Sequence, residues 1–175
     1  MKKKLLLLPL SALMVSVIIG CHKKEAPPPP PPPPPVVEKK AEPEKIDSTA
    51  IWARQRAEKI ARAKSQIAEK MIYFDFDKSD IKPEFRPVLS SIAELMKEFS
   101  DINISIEGNC DERGTAAYNL ALGERRANAA KQYLMDAGIS GSRLATKSWG
   151  EEKPAMEGHD EAAWSKNRRD EFMVN

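Results

Sequence analysis

The chain has 175 residues, 41% of them hydrophobic and 31% charged, which is enough for one domain of ordinary size and a tail. Two cysteines exclude a disulfide framework. The net charge of +2 hides an asymmetry: residues 21–70 carry 11 Lys/Arg against 7 Asp/Glu, whereas residues 71–175 carry 14 against 19, so the larger, acidic part excludes a nucleic-acid groove as its function.

Lys2, Lys3 and Lys4 form a positively charged start, and residues 5–19 are apolar apart from Pro9, Ser11 and Ser16. That stretch is too short for a comfortable membrane span and fits the apolar region of a signal peptide, residues 1–20. It ends Ile18-Ile19-Gly20-Cys21, which resembles the lipobox of bacterial lipoproteins. The expectation is a Cys21 carrying covalent lipid. Three acyl chains, at roughly 0.8 kcal/mol per buried CH₂, hold where one would not. His22 rather than Asp follows the Cys; by resemblance to Gram-negative sorting, this favours the outer membrane, with the domain facing the periplasm.

Residues 21–46 form a Pro-rich linker. Nine consecutive prolines occupy residues 27–35, a polyproline rod about 28 Å long at ~3.1 Å per residue. This composition cannot build a core. It reads as a standoff, the alternative being a ligand for a Pro-binding module. Residues 47–70 lack Gly and Pro and predict a lead-in helix, capped by Asp47 or Ser48. Its stripe of Ala53, Ala57, Ile60, Lys64, Ile67 and Met71 is weak, so a solvated helix is expected.

Residues 71–175 have a globular pattern. Ile72, Phe74 and Phe76 alternate with Tyr73, Asp75 and Asp77, predicting a first strand. Pro83 opens a helix whose apolar face is Leu89, Ile92, Leu95 or Met96, and Phe99. Ile102, Ile104 and Ile106 predict a second strand. Residues 115–137 predict a helix stopped by Gly138, with Leu120, Ala127, Ala130, Tyr133 and Leu134 inward. Residues 144–149 predict a third strand, residues 159–165 a short helix, and residues 171–174 a last strand. This alternation implies an α+β fold, a mixed sheet with helices packed on one face.

The densest polar cluster is Gly108-Asn-Cys-Asp-Glu-Arg-Gly114, between the second strand and the following helix. Glycines at both ends let backbone approach a ligand, and the helix start suits an anion. Arg126 lies about three turns into that helix. By residue type alone, Asp111 is a turn former and Arg126 a surface arginine. Cys110 lacks the cationic surroundings of a reactive thiol, and with His159 makes too few ligands for zinc. Asp111 beside Glu112 is too close in sequence to flank a glycosidic bond. No metal and no cofactor are expected.

Residues 111–130 (DERGTAAYNLALGERRANAA), 158–163 (GHDEAA), 165–169 (SKNRR) and 73–81 (YFDFDKSDI) closely resemble the peptidoglycan-associated lipoproteins, within the wider group of OmpA-like C-terminal domains. The resemblance spans residues 71–175 and implies a two-layer α/β sandwich of OmpA-like type. It implies a non-enzymatic ligand site for peptidoglycan, read at the diaminopimelate of the stem peptide, where Asp111 takes the ammonium and Arg126 the carboxylate. Phe76 and Asp77 match further pocket positions; Arg113 and Leu122 are weaker matches. TolB and other Tol proteins are the implied partners, in envelope integrity and cell division. Two departures stand out: Asn109 replaces a usual His, and Asp170-Glu171 are more acidic than the strand start expected there, which suggests a weakened strand or side chains facing solvent. The competing readings are an enzyme acting on the wall and a scaffold driven by the residue 47–71 helix.

Overall fold

A computed structural model describes residues 48–175, together with Pro29; the stretch read above as a signal peptide, Cys21 and the rest of the Pro-rich segment lie outside the described residues. Helix α1 (Ser48–Ala68) is followed by strand β1 (Met71–Tyr73), a 3₁₀ turn (Pro83–Phe85) running into α2 (Arg86–Glu98), and β2 (Ile104–Asn109). Then come α3 (Ala116–Asp136), a second 3₁₀ turn (Gly141–Arg143), β3 (Leu144–Gly150), α4 (Glu161–Asn167) and β4 (Arg169–Val174).

The four strands form one sheet in the order β1-β4-β2-β3. β4 runs antiparallel to both β1 and β2, and β2 pairs parallel with β3. The parallel pair needs a crossover, and α3 supplies it. On β2, Ile104 and Ile106 are fully buried and join Ile72 and Phe172 of the neighbouring strands in one core. That core also takes Leu89, Ile92 and Met96 from α2 and Ala127, Ala130 and Leu134 from α3. The helices therefore cover the isoleucine face of the sheet, an α+β arrangement.

Local chemistry sets the ends of α3. The Thr115 side chain accepts from the Tyr118 backbone N–H, removing one orphan donor of the first turn. Gly138, at φ 96°, turns the chain out at the other end.

Several expectations need correction. The first strand stops at Tyr73, so Phe76 and Asp77 sit in the turn beyond it; Phe76 is exposed, and Asp77 adopts φ 56°, a left-handed conformation that Asp tolerates. Leu120 is exposed rather than inward. Helix α1 is solvated only in its first three turns; Ala63 and Ile67 are buried in the core. Asp170 faces no solvent: it is fully buried on the core side of β4.

Candidate functional site

The loop between β2 and α3 carries the site. β2 ends in a register shift at Gly108/Asn109, which re-aims the chain where it leaves the sheet. The Cys110 backbone N–H donates to Gly150 O at 2.7 Å. Asn119, buried on α3, donates to the carbonyls of Asp111 and Arg113. The loop is thus tied from both sides, and its side chains are held rather than free.

Asp111 is almost completely buried. Its Oδ1 accepts from the Arg113 backbone N–H and Nε, each at 3.1 Å, and its Oδ2 from Arg113 Nη2 at 2.7 Å and Arg168 Nη1 at 3.1 Å. Burial alone would raise its pKa; donation from Arg113 and Arg168 outweighs burial and holds the carboxyl below its ordinary value. Arg168 also donates through Nε to Phe74 O and through Nη2 to Glu161. It therefore locks the chain just past β1, the start of α4 and the loop together.

Arg126 lies on the inner face of α3 and is fully buried. Its Nε donates to Lys78 O at 2.8 Å, its Nη1 to Asn109 O at 2.8 Å and to Cys110 Sγ at 3.4 Å, and its Nη2 to Asp75 O at 3.2 Å. Among the described residues, none of its hydrogen bonds goes to a carboxylate. Burial pulls its pKa down from the usual guanidinium value, which still leaves an arginine charged. Its guanidinium also lies 5.0 Å from the centre of the Phe74 ring.

The rim is aromatic. The Arg113 guanidinium lies over the rings of Phe76 at 4.0 Å and Trp164 at 4.1 Å, close enough for cation–π attraction. The Tyr118 hydroxyl donates to Asp77, which raises the phenol's pKa. Together these elements enclose a cavity of about 190 Å³. All six positions singled out in this domain border it: Phe76, Asp77, Asp111, Arg113, Leu122 and Arg126. Asp111 and Arg126 do not bond each other.

Pattern reading missed Arg168, Tyr118, Asn119 and Trp164. The Arg168 signal was present in SKNRR: consecutive arginines beside a strand cannot both point to water. The other three had no signal beyond their positions on helices. Among the described residues, no cluster of His, Cys, Asp and Glu could hold a metal ion. Cys110 is buried, its thiol donating to Asn119 O, and burial pushes its pKa up to about 11; it is a poor nucleophile.

Known proteins resemble this chain in sequence and in fold. The OmpA family model matches residues 73–168. The chain is 52% identical over 98 residues to a peptidoglycan-associated lipoprotein of Haemophilus influenzae, a match covering 56% of this chain and 64% of that protein. It is 48% identical over 100 residues to the peptidoglycan-associated lipoprotein of Pseudomonas aeruginosa, covering 57% and 59%. The match thus spans about three fifths of the length of these curated relatives. The crystal structure of the peptidoglycan-associated lipoprotein from Burkholderia pseudomallei superposes with a TM-score of 0.63 at 38% identity, covering 67% of this chain and 99% of that one. A Helicobacter pylori MotB C-terminal domain, 18% identical with a TM-score of 0.57 over 61% of this chain and 84% of that one, shares the fold alone. With more than half its length matched by the family model, the chain belongs to the OmpA family and, within it, to the peptidoglycan-associated lipoproteins.

Proposed function

We propose that the domain binds the free end of the peptidoglycan stem peptide non-covalently and performs no reaction on it. One observation carries this reading: a single cavity borders a buried carboxylate, Asp111, and a buried guanidinium, Arg126, that are not paired with each other. Diaminopimelate has an ammonium and a carboxylate on one carbon, so it presents the complementary pair. Arginine suits the carboxylate because its planar fork matches two oxygens. The volume of about 190 Å³ is below the roughly 300–1,000 Å³ of drug-sized pockets. It admits the end of one amino-acid side chain, not a sugar strand.

Charge-assisted hydrogen bonds contribute about 1.5–3 kcal/mol each, so a single contact is weak. A lipid on Cys21 would convert weak contacts into a tether. Many anchored copies facing a repeating polymer gain by avidity, provided the nine prolines span the gap. Attachment through lipid at the outer membrane carries the anchoring in this proposal. TolB and other Tol proteins are the partners the family resemblance supports, with TolB competing for the same mouth and coupling the tether to cell division.

Sedimentation with purified sacculi tests the site. Wild type should pellet, and Asp111→Ala and Arg126→Ala should stay in the supernatant while retaining a folded circular-dichroism spectrum. Equal pelleting of all three would sink the assignment. Release of soluble muropeptides by the wild type would replace a binder with an enzyme.

A further inference from the structure

Asp170 is the second residue of β4, where strand alternation puts its side chain on the same face as Phe172. In register it sits between Ile72 of β1 and Gly108 of β2. Both of its carboxyl oxygens are shielded from water, and neither has a hydrogen-bond partner among the described residues. The charge that opposes its burial is that of Arg126. Yet the Arg126 donors point to the carbonyls of Lys78, Asn109 and Asp75 and to Cys110 Sγ, so they do not satisfy it.

An ionised carboxylate without donors in such a place is strongly disfavoured, and the group keeps its proton instead. Burial raises the Asp170 pKa well above 3.8, with Arg126 opposing. The surrounding groups do not reverse this. β1 contributes Ile72 and β2 contributes Gly108, neither charged. The loop after β2 contributes Cys110, a neutral thiol, and Asp111, whose charge is already matched by Arg113 and Arg168. α3 contributes Arg126.

We propose that Asp170 is a positioning residue behind Arg126: as a neutral acid it leaves the whole guanidinium charge to a ligand carboxylate in the cavity, and its ionisation cancels that charge and releases the ligand. The inference rests on Arg126 acting as the carboxylate receptor of the wall-binding reading. The signal was visible as an acidic pair, Asp170-Glu171, where an apolar strand start was expected; its consequence needed the buried geometry.

The experiment uses the full lipidated chain in detergent. Wild type and Asp170→Asn are sedimented with sacculi from pH 5.5 to pH 9. The stem's own titration is common to both proteins and cancels in the ratio of their affinities. That ratio should be near one at the acid end and favour Asp170→Asn at least threefold at the alkaline end. A purely structural Asp170 would change the affinity by the same factor at every pH, and a flat ratio overturns the inference while leaving wall binding intact. Failure of the wild type to sediment at any pH overturns the wall-binding reading and this one with it. The Asp170 carboxyl carbon, followed by NMR in the wild type, gives a second measurement independent of the variant's folding. A chemical shift that titrates within pH 5.5–9 supports the inference, and one that reports a carboxyl ionised throughout, or neutral throughout, overturns it.

Discussion

Gly108→Ala should damage both the fold and the site, because β2 and α3 meet there backbone to backbone. A Cβ on Gly108 would fall 1.9 Å from Gly123 O and 2.7 Å from Gly123 C, where ordinary contact begins at 3.4 Å. The obstacle is helix backbone and cannot rotate away. Overpacking against side chains that can adjust costs about 1–3 kcal/mol, so at least about 3 kcal/mol is expected here. The loss of glycine's unfolded-state freedom returns about 0.4–1 kcal/mol. A net loss of about 2 kcal/mol or more corresponds to a Tm lower by roughly 8 °C for a folded unit of this size. Relief requires α3 to retreat from the sheet. Arg126 is three residues past Gly123, nearly one turn on, so it would retreat as well and lose its 2.8 Å bonds to Lys78 O and Asn109 O. Urea unfolding measures the first effect and sacculus sedimentation the second. A stability within about 0.5 kcal/mol of wild type would refute the close-approach argument. Gly123→Ala sharpens the test, since alanine within a helix is worth about 1 kcal/mol over glycine. Here it should destabilise, because its Cβ meets Ser148 Oγ at 2.4 Å and Gly108 O at 2.8 Å. Adding Ser148→Ala should recover only part of the loss.

Three further outcomes are expected. Ile67→Ala should cost about 2–5 kcal/mol in urea unfolding because Ile67 is fully buried, while Trp52→Ala on the exposed end of α1 should stay within about 0.5 kcal/mol; equal effects would detach α1 from the core. The His159 pKa is raised above 6.5 by its hydrogen bond to Glu112, so Glu112→Gln should move its NMR titration midpoint down, and an unmoved midpoint would contradict the contact. Asp170 has a raised pKa in the folded state and an ordinary one near 3.8 when unfolded, so between those values the folded chain holds the extra proton and wild-type stability falls as pH rises. The advantage of Asp170→Asn in chemical denaturation should therefore grow by up to about 1.4 kcal/mol per pH unit across that window, and a constant difference would exclude an acid held neutral.

Much of the fold was legible because β2 alternates isoleucine with polar residues and α3 has Thr115 and Gly138 at its ends. What pattern could not decide was which apolar residues on α3 meet the sheet. Gly123 packing on Gly108 rotates the helix so that Leu122, Arg126, Ala127 and Ala130 face inward. Leu120 is turned out by that packing, and an arginine takes a core position that residue type assigns to the surface. Phe76 looked like a strand residue because alternation continues past the last ladder pair at Tyr73 and Arg169. α1 looked solvated because only Ala63 and Ile67 of its 21 residues are buried. The loop of the candidate site was legible as the densest polar cluster, but its pairing with Arg126 only through resemblance: Asp111 and Arg126 are 15 positions apart, and nothing in composition or periodicity joins them. Arg168 was passed over because its partner Asp111 is 57 residues away.

The pairing of charges around the cavity predicts which half of a zwitterionic ligand matters more. Asp111 is already bonded to Arg113 and Arg168, so an arriving ammonium must compete with two guanidinium groups for the same oxygens. Arg126 holds only neutral acceptors, so an arriving carboxylate competes with no anion bonded to it. The carboxylate half should therefore supply most of the affinity, and the ammonium half mainly the orientation. Soluble stem peptides competing against sacculi for the protein measure the split. A stem with lysine in place of diaminopimelate keeps the ammonium and lacks the carboxylate, and it should compete at least tenfold more weakly than the diaminopimelate stem, about 1.4 kcal/mol. A stem that keeps the carboxylate but lacks the ammonium should lose less. The reverse order would mean that Arg113 leaves Asp111 readily when ligand arrives. The two arginines on Asp111 would then be placeholders for the ammonium rather than its competitors.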